Sequence, residues 1–191
     1  MIARCTLLIL GLFLHSAVLP QEMEKRARHW HFRVQFAGYQ GLISVGGGPV
    51  LAGGRWHPGL MYGFAPPAGD RPAVHQIIVR NDLLFRPDPA DRKFHVSPSL
   101  SANLLIETGR FSYLELPSEF PAGYYAAPQL HGTFGLGARW IRRMPDGSVF
   151  RNVSFSAEFT GLDTYIWYSI SERGIPISDA FGLSFAFAAL F

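Results

Sequence analysis

Apolar and polar residues alternate with period two through most of this chain, most strictly at its end. In the stretch 180–191, AFGLSFAFAALF, one face reads Phe181, Leu183, Phe185, Phe187, Ala189, Phe191, and the other Ala180, Gly182, Ser184, Ala186, Ala188, Leu190. Such alternation over a dozen residues predicts a strand. Neither face is charged, and size is sorted by face. A strand in a soluble sandwich would turn bulk toward a core and polar groups toward water. This one suits a closed barrel with large groups against acyl chains and small groups lining a crowded interior.

The same reading extends backward. Strands are predicted over 39–51, 55–65, 74–86, 93–108, 129–142, 149–160 and 164–171, which with the terminal strand makes eight. Ile43 and Val45 face out and Gln40 and Ser44 in. Trp56, Leu60, Tyr62 and Phe64 share a face opposite His57 and Gly63. Ile77, Val79, Leu83 and Phe85 oppose Gln76, Arg80 and Asp82. In 93–108 the apolar face is Phe94, Val96, Pro98, Leu100, Ala102, Leu104, Ile106, and the polar one is Lys93, His95, Ser97, Ser99, Ser101, Asn103. Later strands place Thr133, Arg139, Asn152, Ser156 and Glu158 inward. Pro98 predicts a local bulge, and Gly46-Gly47-Gly48 predicts bending or close backbone approach. Each segment is near the roughly 9 to 11 residues that cross a bilayer at a tilt. The expected fold is all-β, an eight-stranded antiparallel up-and-down transmembrane β-barrel.

Composition sharpens that picture. The 191 residues are 16% charged and 14% aromatic, yet the chain past residue 20 has no apolar run long enough for a spanning helix. Residues 1–20 read as a signal peptide, with Arg4 before the apolar centre Leu7–Leu14 and the small pair Ser16-Ala17 near its end. Cleavage would remove the single cysteine, Cys5, so neither a disulfide framework nor a zinc–thiolate site is expected. Residues 21–37 read as an N-terminal lead-in or short amphipathic helix, and 38–191 as the barrel. The formal charge of +3 falls to +2 without Arg4, too little and too scattered to imply nucleic acid.

An aromatic residue closing the last strand resembles the assembly signal of bacterial outer-membrane barrels, and Phe191 occupies that place. The resemblance implies a bacterial cell outer membrane location, lipid as the surrounding partner, and the barrel-assembly machinery as a partner through Phe191. A monomer is expected. One feature strains the count. With both termini periplasmic, connections after strands two, four and six should be short. The long aromatic segment Gly109–Ala127 follows the fourth predicted strand.

Candidate chemistry lies on the inward face. A tight turn after the third predicted strand would set Arg86 against Lys93 and Asp82 against Ser97. His95 stands two residues from Ser97 on the same face. His95, Ser97 and Asp82 then supply a base, a hydroxyl and an orienting carboxylate, the set that nucleophilic catalysis uses. A similar turn at Pro145-Asp146-Gly147 would set Glu158 against Thr133, near His131. His95-Val96-Ser97 resembles the His-x-Ser motif of the small outer-membrane lipid A 3-O-deacylases, which implies a lipid A-modifying esterase. The family's nearby glutamate has no counterpart, since Glu107 lies twelve residues on. The inward groups equally form a structural network, because buried polar groups need partners. That reading, a structural or binding barrel filled by polar contacts, is the principal expectation. No cofactor and no metal site are expected, since His57, His75 and His131 stand on separate strands without ligand spacing.

Overall fold

Alternation makes a ribbon with two unlike faces, and such a ribbon is stable only when one face is hidden along its whole length. The computed structural model, which describes residues 29–69, 72–86, 92–109, 129–171 and 176–191, shows how this chain does it. Eight antiparallel strands each pair with the next: β1 (His29–Ala37), β2 (Ile43–Val50), β3 (Trp56–Ala65), β4 (Val74–Leu84), β5 (Phe94–Thr108), β6 (Leu130–Arg143), β7 (Asn152–Leu162) and β8 (Phe181–Leu190). β1 also pairs with β8, from His31↔Leu190 to Ala37↔Ser184, so the sheet closes and has no free edge. One helix, α1 (Asp163–Ser171), stands between β7 and β8.

The number of strands agrees with the sequence reading, but the set differs at two places. His29–Ala37, expected within the lead-in 21–37, is β1, so the barrel begins before residue 38. Its alternation is complete: Trp30, Phe32, Val34 and Phe36 point out, and His31, Arg33 and Gln35 are buried. The charged run ahead of it obscured a regular strand. Thr164–Ser171, expected as a strand, is helical. Its Tyr, Ile, Trp and Thr favour strands only where neighbours can pair with them. Here β7 and β8 already pair with each other, and Asp163 starts a helix by accepting the Thr164 N–H at 2.6 Å. The signal peptide, residues 1–20, and residues 21–28 lie outside the described residues.

This shift relieves the strain over loop lengths. The segment holding Gly109–Ala127 now follows β5, although residues 110–128 themselves lie outside the described ones. The connections 51–55, 85–93 and 144–151 share one end of the barrel with the start of β1 and the end of β8, here called the terminal end. The two longest, 109–129 and 163–180, join strands at the far end.

Pro98 makes no bulge. The β5–β6 register runs unbroken through Pro98↔Ala138, and Pro98 accepts the Phe85 N–H at 3.1 Å, just past the end of β4. Its hydrogen-less nitrogen faces the same way, where the ladder is ending anyway. The glycine run of β2 does reflect close approach. A Cβ on Gly46 or Gly48 would run into the carbonyl oxygens of Leu60 or Pro58 on β3, and one on Gly47 into that of His31 on β1. The β2–β3 ladder stops at Gly47↔Leu60, and continuing it would set Pro49 against Pro58, two residues without an N–H.

Because backbone cannot retreat cheaply, Gly47→Ala should destabilise the barrel by about 1–3 kcal/mol or more. Gly182→Ala, whose Cβ would meet nothing closer than 3.7 Å, should be tolerated. Urea midpoints of the two variants measured side by side check this.

Candidate functional site

The interior is built from charged groups and the small residues that make room for them. Arg33 on β1 is paired with Gly46 and Ala188, Arg80 on β4 with Gly59, and Glu158 on β7 with Gly137. Gly135 on β6 has a similar task, since a Cβ there would fall on Glu158 Oε1 and Ser101 Oγ. Arg33, Arg80, Asp82, Arg139 and Glu158 are all buried.

Their contacts form one network. Arg139 Nη2 donates to Asp82 Oδ2 at 2.5 Å, and Arg33 Nη1 reaches the same oxygen at 3.4 Å. Arg80 Nε lies 2.7 Å from Asp82 Oδ1 as an ion pair outside hydrogen-bond angles. Arg80 Nη2 donates to Glu158 Oε2 at 2.6 Å, Arg33 Nη2 lies 3.8 Å from that atom, and Ser101 Oγ donates to Glu158 Oε1. Gln35 Oε1 accepts from Arg33 and from Arg80, and Gln40 Oε1 from Arg80. Met61, Ile78 and Leu105 stand opposite one another on β3, β4 and β5 and form a small apolar cluster.

The residues singled out for catalysis are all inward and buried, as expected, but the register separates them. Asp82 opposes Ser101, not Ser97, and Glu158 opposes Gly137, not Thr133. Both hairpins are displaced by four residues from the tightest-turn register. That slip is even, so every side chain keeps its face. Asp82 stands level with Ser101, six residues from His95, which is about 20 Å along the strand. Its carboxylate meets three guanidiniums instead of an imidazole. Ser97 Oγ accepts the Arg86 N–H at 3.1 Å and donates to the Pro98 carbonyl at 3.1 Å. His95 is opposite Ile141. Arg33 and Gln35 were missed because their strand was read as lead-in, although the alternation of 30–36 carried the signal.

A second polar cluster anchors α1 at the far end. Asp163 Oδ2 accepts the Gly132 N–H at 2.8 Å, Oδ1 accepts from Thr164, and the His131 ring lies 3.8 Å from Oδ1. Partial burial works to raise the Asp163 carboxyl, but His131 and the three donated hydrogens outweigh it and hold it below the usual carboxylate range. Comparison with protein-family models, with curated proteins and with solved structures finds no match to this chain.

Removing one partner from the network strands a buried charge. Glu158→Ala should cost about 3–5 kcal/mol, and Ser101→Ala, which removes one hydrogen bond to a charged group, about 1.5–3 kcal/mol. Equilibrium unfolding in urea measures both. A carboxyl depressed by folding stabilises the fold above its unfolded-state pKa, and that contribution disappears as pH falls through the folded value. Amide protection factors at Gly132 and Thr164, taken against the intrinsic rate at each pH, should therefore stay high at neutral pH and fall only below the ordinary carboxylate range.

Proposed function

We propose that this chain is an integral β-barrel of a bacterial outer membrane with a structural or binding role. One observation carries the reading: the sorting of charge between the two faces of the strands. Asp82, Glu107 and Glu158 are the only acidic residues in the strands, and all three are on inward positions, as are Arg33, Arg80 and Arg139. On outward positions the ionisable groups are His75 and Arg142, each near an end of its strand. Everything between is apolar or aromatic apart from Asn81, which accepts from Trp56 Nε1 at 3.3 Å.

Many of the outward apolar groups are well exposed. Leu60 is 61% exposed, Leu136 62% and Phe159 64%, with Phe32, Val79, Phe134 and Phe187 also exposed around the ring. Contiguous apolar surface on a monomer in water rarely exceeds a few hundred Å². A belt that encircles the molecule needs a nonaqueous solvent. The aromatic residues mark its borders: Trp30, Trp56 and Trp140 toward the terminal end, Tyr39, Tyr62, Tyr165 and Trp167 toward the far end. Such girdles sit where lipid meets water. The connections 51–55, 85–93 and 144–151, with the start of β1 and the end of β8, then face the periplasm, and the two longest connections face outward.

Phe191 suits a role in assembly. Its N–H donates to the Trp30 carbonyl at 2.9 Å and its ring meets Phe150 edge-on at 5.1 Å, so the last residue helps close the β1–β8 seam. The filled interior speaks against a diffusion pore. A binding role belongs to the far end, where α1 exposes Tyr165, Trp167 and Ile170.

Leu136→Arg, at the middle of the belt, tests the reading directly. In lipid vesicles it should lower folding stability by about 2–4 kcal/mol. The protein should also sediment with outer membranes and migrate differently on gels before and after heating. A monodisperse, folded protein in detergent-free buffer, indifferent to Leu136→Arg, would refute the proposal.

A further inference from the structure

Positive charge is in excess inside the barrel. Among the described residues, the buried side chains of fixed charge are Arg33, Arg80 and Arg139 against Asp82 and Glu158. Glu158 is approached by Arg33 and Arg80, while Asp82 is divided among all three arginines. One guanidinium charge is left over where water has little access, and an unbalanced buried ion is costly.

Arg33 and Arg80 each reach both carboxylates, whereas Arg139 reaches Asp82 alone and shares it with the other two. Besides Asp82, Arg139 donates from Nη1 to His57 Nδ1 at 3.3 Å. His57 can accept there only if its hydrogen sits on Nε2, and Nε2 lies 3.0 Å from the Gly54 carbonyl, which takes that hydrogen. His57 is thereby held neutral and lends no negative charge. Arg139 Nε has no hydrogen-bond partner among the described residues. Beside these groups, toward the terminal end, lies a cavity of about 50 Å³ whose lining is mostly apolar, Leu84 and Ile141 among it, with His31, His57, Arg139 and Asn152. His31 is 93% buried, its ring 5.3 Å from that of His57, and its Nδ1 also lacks a partner.

We propose that this cavity is a binding site for a small monovalent inorganic anion such as chloride, held by Arg139 and His31. The space admits a monatomic ion with water beside it. Its Leu84 and Ile141 wall disfavours strongly hydrated, doubly charged oxyanions. An anion there brings the interior to charge balance, three cations against two carboxylates and the bound ion. The site rests on the barrel interior alone, so it stands or falls separately from the membrane reading.

The test uses the full chain folded in detergent micelles in a gluconate buffer, with chloride as probe. Chloride NMR lines should broaden saturably with protein, and bromide should compete. Ala188→Val narrows the cavity, which Ala188 also lines, without altering a charge. It should weaken chloride binding about tenfold, equivalent to about 1.4 kcal/mol. His31→Phe should weaken it as well, and serves where the valine variant does not fold. Crystals grown in sodium bromide should show an anomalous peak beside Arg139. Broadening that never saturates, binding unchanged in the folded variants, or bromide crystals without a peak at Arg139 would overturn the assignment.

Discussion

Ionised groups enclosed in a narrow bore can persist only by facing each other, and that constraint orders this protein from the inside. Period-two strands closed into a ring must send one face to the centre. In this chain that face carries Arg33, Arg80, Asp82, Arg139 and Glu158. Eight strands leave a lumen that side chains can just fill, so the choice is between a satisfied network and an expensive set of orphans. The guanidinium fork makes satisfaction possible. Arg80 spans Asp82 and Glu158, and Arg33 touches the same two carboxylates from the opposite side. Strand β4 is thereby tied across the bore to β1, β6 and β7, and β1 to β7, couples that no backbone ladder joins.

The glycines follow from the same constraint. Five long or branched ionised side chains cannot share a ring of eight strands unless neighbouring positions give up theirs. Gly135 lies where Glu158 meets Ser101, and Gly46 and Gly59 lie beside Arg33 and Arg80. Small inward residues look like weak β-formers when taken singly. Taken with their partners across the ladder, they complement the charges in shape.

Faces were legible in the sequence because period two is a local property. Asp82, Arg80, Ser97, His95, Arg139 and Glu158 were all placed inward, and all are buried. Registers were not legible, because they depend on where each turn closes. The Pro145-Asp146-Gly147 turn does form, with Ser148 N donating to the Pro145 carbonyl at 3.2 Å and Gly147 at φ 88°, but the ladder slides four residues from the tightest register. A slide of four preserves faces and destroys proposed neighbours. That is why the candidate trio of His95, Ser97 and Asp82 shared an orientation without sharing a location. Element type failed where tertiary context outweighed propensity. Thr164–Ser171 has strand-forming residues but no open partner, and His29–Ala37 was judged by its charged neighbour instead of by its own alternation.

Under the proposed placement, a closed interior bears on where binding differences can arise. Arg80, Asp82 and Glu158 are bonded to one another across the bore, and Met61, Ile78 and Leu105 cluster on the wall beside them. A solute passing through would have to separate buried ion pairs, a step opposed by several kcal/mol. Traffic through the barrel is therefore the use to which this interior is least suited. A lumen so committed to holding its walls together leaves partner recognition to the surface beyond them. There α1 is tethered through Asp163 to the first residues of β6, and its Tyr165, Trp167 and Ile170 remain exposed. Under the proposed binding role, a filled bore and recognition at the rim are then two consequences of one allocation of charge.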